Sequence, residues 1–328
     1  MAEIKDAVRP PLGVRLLHAL GREPDWSRMT PGELTAFQVA QNRKRSSRLV
    51  RVVTGRPEPS ADIEWQEVAL PCRAIRVRVY GPSVRRNGAD RRDLPLVLHV
   101  HGGGFVGTAV QSDWVNSHIA VRVPALVISV EHRLLAPGTP LTAAIDDGWD
   151  ALQNVFEHAT QWRIDARHVA LFGESTGAVV TALAAIRAKS IGLSLSAQIL
   201  ANPCVDLTST AFDYDSMIRY RDSPTLTMAQ MLFWRDLAIP PDTDPRPLSP
   251  LHADDLSGLA PTLVVVPTYD PMADHGRRYV ERLLADGTPA RLSEYPGATH
   301  AFLSMPGLVP QAKAARAEIV RFLRNRLR

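Results

Sequence analysis

The amino-acid sequence predicts an α/β fold with a mostly parallel central sheet flanked by helices. Three observations carry that expectation. From about residue 63, short apolar runs alternate with helix-length segments. Several of these runs are apolar almost without interruption, as strands covered on both faces are. Two segments stand apart from the alternation: residues 1–60, where no β-rich run occurs, and residues 204–250, where the rhythm breaks.

Along residues 1–60, Val14, Leu17 and Leu20, then Leu34, Phe37 and Val39, follow helical spacing, and Gly55-Arg56-Pro57-Glu58-Pro59 ends the stretch. Ile75, Val77 and Val79 alternate with Arg76 and Arg78, the pattern of a half-exposed strand. Leu96–Val100, Ala125–Val130, Val169–Phe172, Leu195–Leu200 and Leu263–Val266 are apolar runs read as buried strands. Helices are expected at about 141–159 and from about 176, and a further strand at 290–295. Residues 204–250 read as an insertion between core strands. They carry Met217, Met228, Met231, Leu232, Phe233 and Trp234 before a proline-rich passage from Pro240 to Pro250. Those side chains either pack locally or line a pocket for an apolar substrate.

Composition excludes several function classes. The chain is 45% hydrophobic and 22% charged, ordinary for a globular protein. Its net charge is only +4, 38 basic against 34 acidic residues. The densest basic cluster, Arg43, Lys44, Arg45, Arg48 and Arg51, reads as a solvated helix face, with a phosphate-binding patch as the lesser reading. No zinc pattern or interleaved aromatics point to nucleic acid. Cys72 and Cys204 read as small core residues, not a disulfide. The opening Met-Ala-Glu-Ile-Lys-Asp has no signal-peptide core, and Leu16-Leu17-His18-Ala19-Leu20 is too short and lacks a cleavage site. No apolar run approaches membrane-span length. A soluble, cytoplasmic protein is expected, and a homodimer is left open.

Four motifs carry chemistry. Gly173-Glu174-Ser175-Thr176-Gly177 is a G-x-S-x-G between a strand and a helix. That is the setting of a nucleophile elbow, which lifts the hydroxyl above the sheet and aims a helix N-terminus at a developing oxyanion. A plain helix cap is the bland reading. His101-Gly102-Gly103-Gly104-Phe105 follows the strand 96–100, and its glycines can turn N–H groups toward a ligand. Gly102, Gly104 and Gly107 also fit a dinucleotide loop, but Thr108–Val115 makes a poor helix opening. Asp270, in Thr268-Tyr269-Asp270-Pro271, lies just past a strand's C-terminal end, where it can orient a histidine. Its rival Asp274 falls where a helix would begin and suits that helix's dipole. His300 follows in the order Ser…Asp…His. A merely buried or capping role is its bland reading. His99 and His101 share a strand face, but no third ligand has usable spacing, so no metal is expected.

Together these motifs resemble the hormone-sensitive-lipase-like family of α/β-hydrolase esterases over about residues 65–325. The most specific stretches are Leu248-Ser249-Pro250, Asp254-Asp255-Leu256, Pro261-Thr262-Leu263, Asp270-Pro271-Met272-Ala273-Asp274 and His300-Ala301-Phe302. The resemblance implies an α/β-hydrolase core at 61–203 and 251–328, with a helical cap built from 1–60 and 204–250. It implies a triad of Ser175, Asp270 and His300, and oxyanion donors at the amides of Gly102, Gly103 and Thr176. It implies no cofactor. Departures from the family pattern are Glu174 for Asp, Thr176-Gly177-Ala178 for Ala-Gly-Gly, an extra Leu in His132-Arg133-Leu134-Leu135-Ala136-Pro137-Gly138, and His275 for an acid.

The expected reaction is hydrolysis of a small-molecule carboxylic ester of short to medium acyl chain through an acyl-enzyme. Activity should fall below roughly pH 6.5, since a neutral imidazole must serve as base. Deacetylation, lactone opening or acyl transfer on a specialised metabolite would use the same groups. A non-catalytic receptor on this fold is the remote alternative.

Overall fold

The computed structural model describes residues 9–21, 23–83 and 93–328. The reading of Met1–Asp6 lies outside them.

The strands of the main sheet are β1 (Ala61–Ala69), β2 (Ala74–Pro82), β3 (Leu94–Val100), β4 (Leu126–Val130), β5 (Ile164–Glu174), β6 (Ala197–Ala201), β7 (Thr262–Tyr269) and β8 (Ala290–Thr299). Among the described residues they form one eight-stranded sheet in the order β1-β2-β4-β3-β5-β6-β7-β8. β1–β2 and β2–β4 pair antiparallel, and every other pair is parallel. The principal helices are α1 (Leu12–Leu20), α2 (Pro31–Arg45), α3 (Asp113–Arg122), α4 (Leu141–Glu157), α5 (Thr176–Ser190), α6 (Met228–Ala238), α7 (Ala273–Ala285) and α8 (Gln311–Arg324).

Alternation sorts the strand side chains between two layers. Leu96, Leu98, Val100 and Leu171 pack in one core with residues of α4 and α5. Val97, Val127, Ala170 and Phe172 face the other way, onto α3 and α8. Period-two geometry makes this unavoidable once both faces are covered. β5 therefore runs through the middle of the sheet with both faces buried, which holds its C-terminal end rigidly.

Two expectations need correction. Cys204 is buried, but Cys72 is exposed in the β1–β2 turn; both thiols are free. The chain after Thr108 does open a helix, through a 3-10 turn at Ala109–Ser112 into α3. Apolar spacing misses it because the helix starts on a buried acid. Asp113 accepts from Arg78 Nε at 2.6 Å and Nη2 at 2.9 Å, and from the Tyr80 hydroxyl at 2.9 Å. A buried carboxylate is tolerable only with such partners.

The segments outside the strand alternation both lie over the C-terminal ends of the central strands. α2 starts with a full capping box, Thr30 with Glu33, and Pro31 at its first position. It is tied down by Gln38 Nε2 donating to Leu135 O at 2.9 Å and by Gly107 N donating to Asn42 Oδ1 at 2.9 Å. From the other segment, Phe233 packs against Trp26 and Phe105, with ring centroids 5.4 Å apart in both pairs. The methionines and aromatics of 204–250 thus divide. Met217 and Phe233 only pack in the core, whereas Met231 and Trp234, also packed there, line a cavity as well.

Candidate active site

Ser175 occupies the single residue between β5 and α5 with φ +52° and ψ −117°. A non-glycine residue pays strain there, and it persists because the surroundings over-determine it. The flanking glycines show how. A Cβ on Gly177 would stand 2.1 Å from Val100 O, and one on Gly173 would stand 2.2 Å from Thr181 Oγ1.

The structure brings Ser175, His300 and Asp270 together. Ser175 Oγ lies 2.8 Å from His300 Nε2, and His300 Nδ1 lies 2.8 Å from Asp270 Oδ2. Asp270 is fully buried just past β7, and its Oδ1 accepts from Met272 N at 2.9 Å. His300 is buried just past β8. Asp274 is elsewhere engaged. In the first turn of α7 it accepts from Ser216 N and Arg277 Nη1, both at 2.8 Å.

The amides of Gly102, Gly103 and Thr176 border the same space, and none donates to a protein acceptor among the described residues. Gly103 has φ +94°, and a Cβ there would meet Val106 O at 1.8 Å, so this loop requires glycine. The carbonyl of Gly102 is turned away and held by Gln111 Nε2 at 3.0 Å and His101 Nδ1 at 3.0 Å. His99 and His101 do not converge. His99 bridges Ser129 and Glu174, and His101 stacks on His132 at 4.3 Å. No cluster of metal-ligating residues occurs among the described residues.

A mostly apolar cavity of about 460 Å³ surrounds Ser175, with Leu17 and Arg45 on one wall and Met231, Trp234, Met272 and Met305 among the others. That size suits a small organic molecule. Arg43, Arg48 and Arg51 are exposed as the solvated-face reading expects, whereas Lys44, though exposed, borders the cavity and the half-buried Arg45 turns inward to it. Periodicity cannot flag that inversion, because an Arg on the face shared with Leu34 and Phe37 carries no apolar signal.

A family profile described as the alpha/beta hydrolase fold matches residues 97–304. The chain belongs to the hormone-sensitive-lipase-like family. Among relatives, esterase LipI of Mycobacterium tuberculosis is 34% identical over 252 residues, covering 75% of this chain and 76% of LipI. Carboxylesterase NlhH of the same organism is 35% identical over 246 residues, 74% of this chain and 75% of NlhH. Among solved structures, an ester hydrolase from the Lake Arreo metagenome, complexed with a bipyridine phosphonate derivative, superposes with TM-score 0.84. It has 27% identity and covers 96% of this chain and 98% of that one.

Each departure from the family pattern has a local partner. The Glu174 carboxylate accepts from Ser112 Oγ at 2.8 Å and lies 3.0 Å from His99 Nε2. The extra Leu135 is buried and donates its amide to Gly104 O at 2.8 Å. Thr176 Oγ1 accepts from Trp234 Nε1 at 3.1 Å, linking α6 to the residue after the serine. Trp234→Phe and Thr176→Val should each destabilise by about 1 kcal/mol, with a double-mutant coupling of similar size. Denaturant titration of the four proteins measures it, and additive losses would deny the link.

His275 Nδ1 accepts from Val205 N and Asp206 N, both at 3.3 Å, so the native ring must be neutral. Burial, opposed by the Asp206, Asp270 and Asp274 charges, pushes this imidazole down to about 4. Burial and the neighbouring His132 push His101 well down too, adding an effect of the same sign. The unfolded chain, with ordinary imidazoles near 6.5, takes up protons that the folded chain refuses. Stability is therefore full above about pH 6.5 and is lost as pH falls toward 4. His275 alone should cost about 3 kcal/mol across that window. Urea unfolding at both ends of the window should show a smaller acid loss in His275→Asn, and an equal loss in both proteins contradicts the assignment.

No helix among the described residues is long and apolar enough to cross a membrane.

Proposed function

We propose that the chain is a serine hydrolase that cleaves carboxylic esters of short to medium acyl chain through an acyl-enzyme on Ser175. The observation that carries this reading is the continuous chain of two 2.8 Å contacts from Ser175 through His300 to Asp270, opening on a cavity. Esterase and carboxylesterase relatives support the reaction class.

Ser175 Oγ attacks the ester carbonyl as His300 Nε2 takes its proton, and the buried Asp270 holds the Nδ1 proton and stabilises the imidazolium. The amides of Gly102, Gly103 and Thr176 donate to the tetrahedral oxyanion. Collapse breaks the bond to the alcohol oxygen, which leaves with the proton from His300. Water then attacks the acyl-enzyme with His300 again as base, releasing the acid and restoring the serine hydroxyl.

The division of labour proposed is a core at 61–203 and 251–328 and a cap at 1–60 and 204–250, supported by the cavity's walls coming from both parts. Two free thiols fit a reducing, cytoplasmic location, which cell fractionation tests. Sedimentation velocity distinguishes one copy from the homodimer left open by the sequence.

A panel of p-nitrophenyl esters and lactones of graded size, with fluorophosphonate labelling, tests the function. Turnover highest for short and medium acyl chains and labelling at Ser175 are expected. Binding without turnover or labelling would favour a receptor, and product appearing only with an added alcohol or amine would favour an acyltransferase.

A further inference from the structure

We infer that the cavity is built for esters carrying a second, anionic group, and that Arg45 is the anchor for that group's carboxylate. The inference rests on the esterase reading above and names its substrate class.

Arg45 closes α2 and lines the cavity that holds Ser175. Its guanidinium has five donors, of which one goes to an acceptor among the described residues: Nη1 donates to Gln111 Oε1 at 3.2 Å. Among the described residues no carboxylate lies within 4.0 Å of it, whereas Arg73 and Arg78 pair with Asp147 and Asp150 and with Asp113, and Arg316, which also lacks a carboxylate at that distance, is covered by the Trp114 ring and donates to Trp114 O at 3.2 Å. The acids near this side are occupied. Glu174 is held by Ser112 and His99, and Glu131 accepts from Thr108 Oγ1 at 3.2 Å and Ala109 N at 2.7 Å. Burial pulls the guanidinium down to about 10, so at neutral pH it remains a cation, with no carboxylate partner among the described residues. A partly desolvated charge without a partner is costly, and a cavity that retains one favours an anionic guest.

The position relates this charge to the reacting bond. Arg45 binds Gln111, and Gln111 Nε2 binds Gly102 O at 3.0 Å. Gly102 in turn abuts the nucleophile: a Cβ there would stand 3.2 Å from Ser175 Cβ. Arg45 therefore sits two hydrogen bonds from the oxyanion loop, and an anion bound to it three. A guanidinium edge matches a carboxylate bidentately, which favours that group over a diffuse polar contact. Elsewhere in the cavity the Asn202 amide and the Thr225 hydroxyl are also buried without partners among the described residues, so the guest is polar at more than one point.

The carboxylate can belong to the acyl part or to the alcohol, and two matched pairs separate them. Ethyl hydrogen succinate against ethyl succinamate places the charge on the acyl side, and acetoxyacetate against acetoxyacetamide places it on the leaving group. The wild-type protein should prefer the anion at least about tenfold in kcat/KM in one pair, and Arg45→Gln should lower that ratio about 10- to 100-fold. The wild-type preference should also shrink with added salt, a readout that survives if the variant does not fold. Preference for the neutral member in both pairs, or a ratio untouched by Arg45→Gln, overturns the inference. Failure to hydrolyse any ester, p-nitrophenyl acetate included, sinks the esterase reading instead. Calorimetry with succinate then decides the anchor: binding about tenfold weaker in Arg45→Gln upholds it, and equal binding overturns it.

Discussion

Ser175→Ala is expected to lower kcat on p-nitrophenyl acetate by about 10⁵-fold or more and to abolish fluorophosphonate labelling. The size of the loss follows from the geometry. The hydroxyl is the nucleophile 2.8 Å from His300 Nε2, and without it His300 has no serine proton to take and no acyl-enzyme forms. Rate above that of water should survive, because the donors at Gly102, Gly103 and Thr176 and the cavity still bind the substrate. The fold should be unaffected, since alanine accepts φ +52° no worse than serine and the Ser175 amide still donates to Ala201 O at 2.9 Å. Thermal unfolding alongside kinetics checks both halves. A well-folded variant with a tenth of the wild-type rate would end the assignment of the nucleophile.

Asp270→Asn should cost about 10⁴-fold in kcat while preserving the packing around β7. The reason is a tautomer. Met272 N donates to one oxygen of the side chain, so an asparagine there keeps its carbonyl on Met272 and turns its NH₂ toward His300 Nδ1. Nδ1 must then accept, the ring proton moves to Nε2, and Nε2 can no longer take the proton of Ser175. Asp274→Asn is the control. Its carboxylate serves Ser216 and Arg277 rather than the imidazole, so its loss should stay below about tenfold. Comparable losses at 270 and 274 would show that the distinction drawn between the two acids is wrong.

Most of the core was legible because strands buried on both faces leave an unbroken apolar trace. Leu96–Val100, Ala125–Val130 and Leu263–Val266 lie in or at the edge of β3, β4 and β7. α3 was missed because its first residue is a buried acid whose partners, Arg78 and Tyr80, come from a strand more than 30 residues earlier. Cys72 was misjudged for a related reason: composition does not say which short residues fall in a hairpin turn. At the site, the glycines around Ser175 and at 102–104 were readable because close backbone approach permits no side chain. Arg45, Gln111 and the Trp234–Thr176 contact were not, since each depends on which side of a helix faces a cavity whose other wall is far along the chain.

The sequence by itself determined the strand–helix alternation of the core, the two glycine-lined turns, and the identity of the groups able to perform nucleophilic chemistry. These are matters of local backbone sterics and of period-two or helical patterning, which each segment carries within itself. Only the tertiary structure decided that a hydroxyl, an imidazole and a carboxylate separated by up to 125 residues meet in sequence, and that Arg45 of a basic helix turns into the cavity. Contacts between distant segments arise from the packing of whole layers, and no stretch of chain encodes its partner.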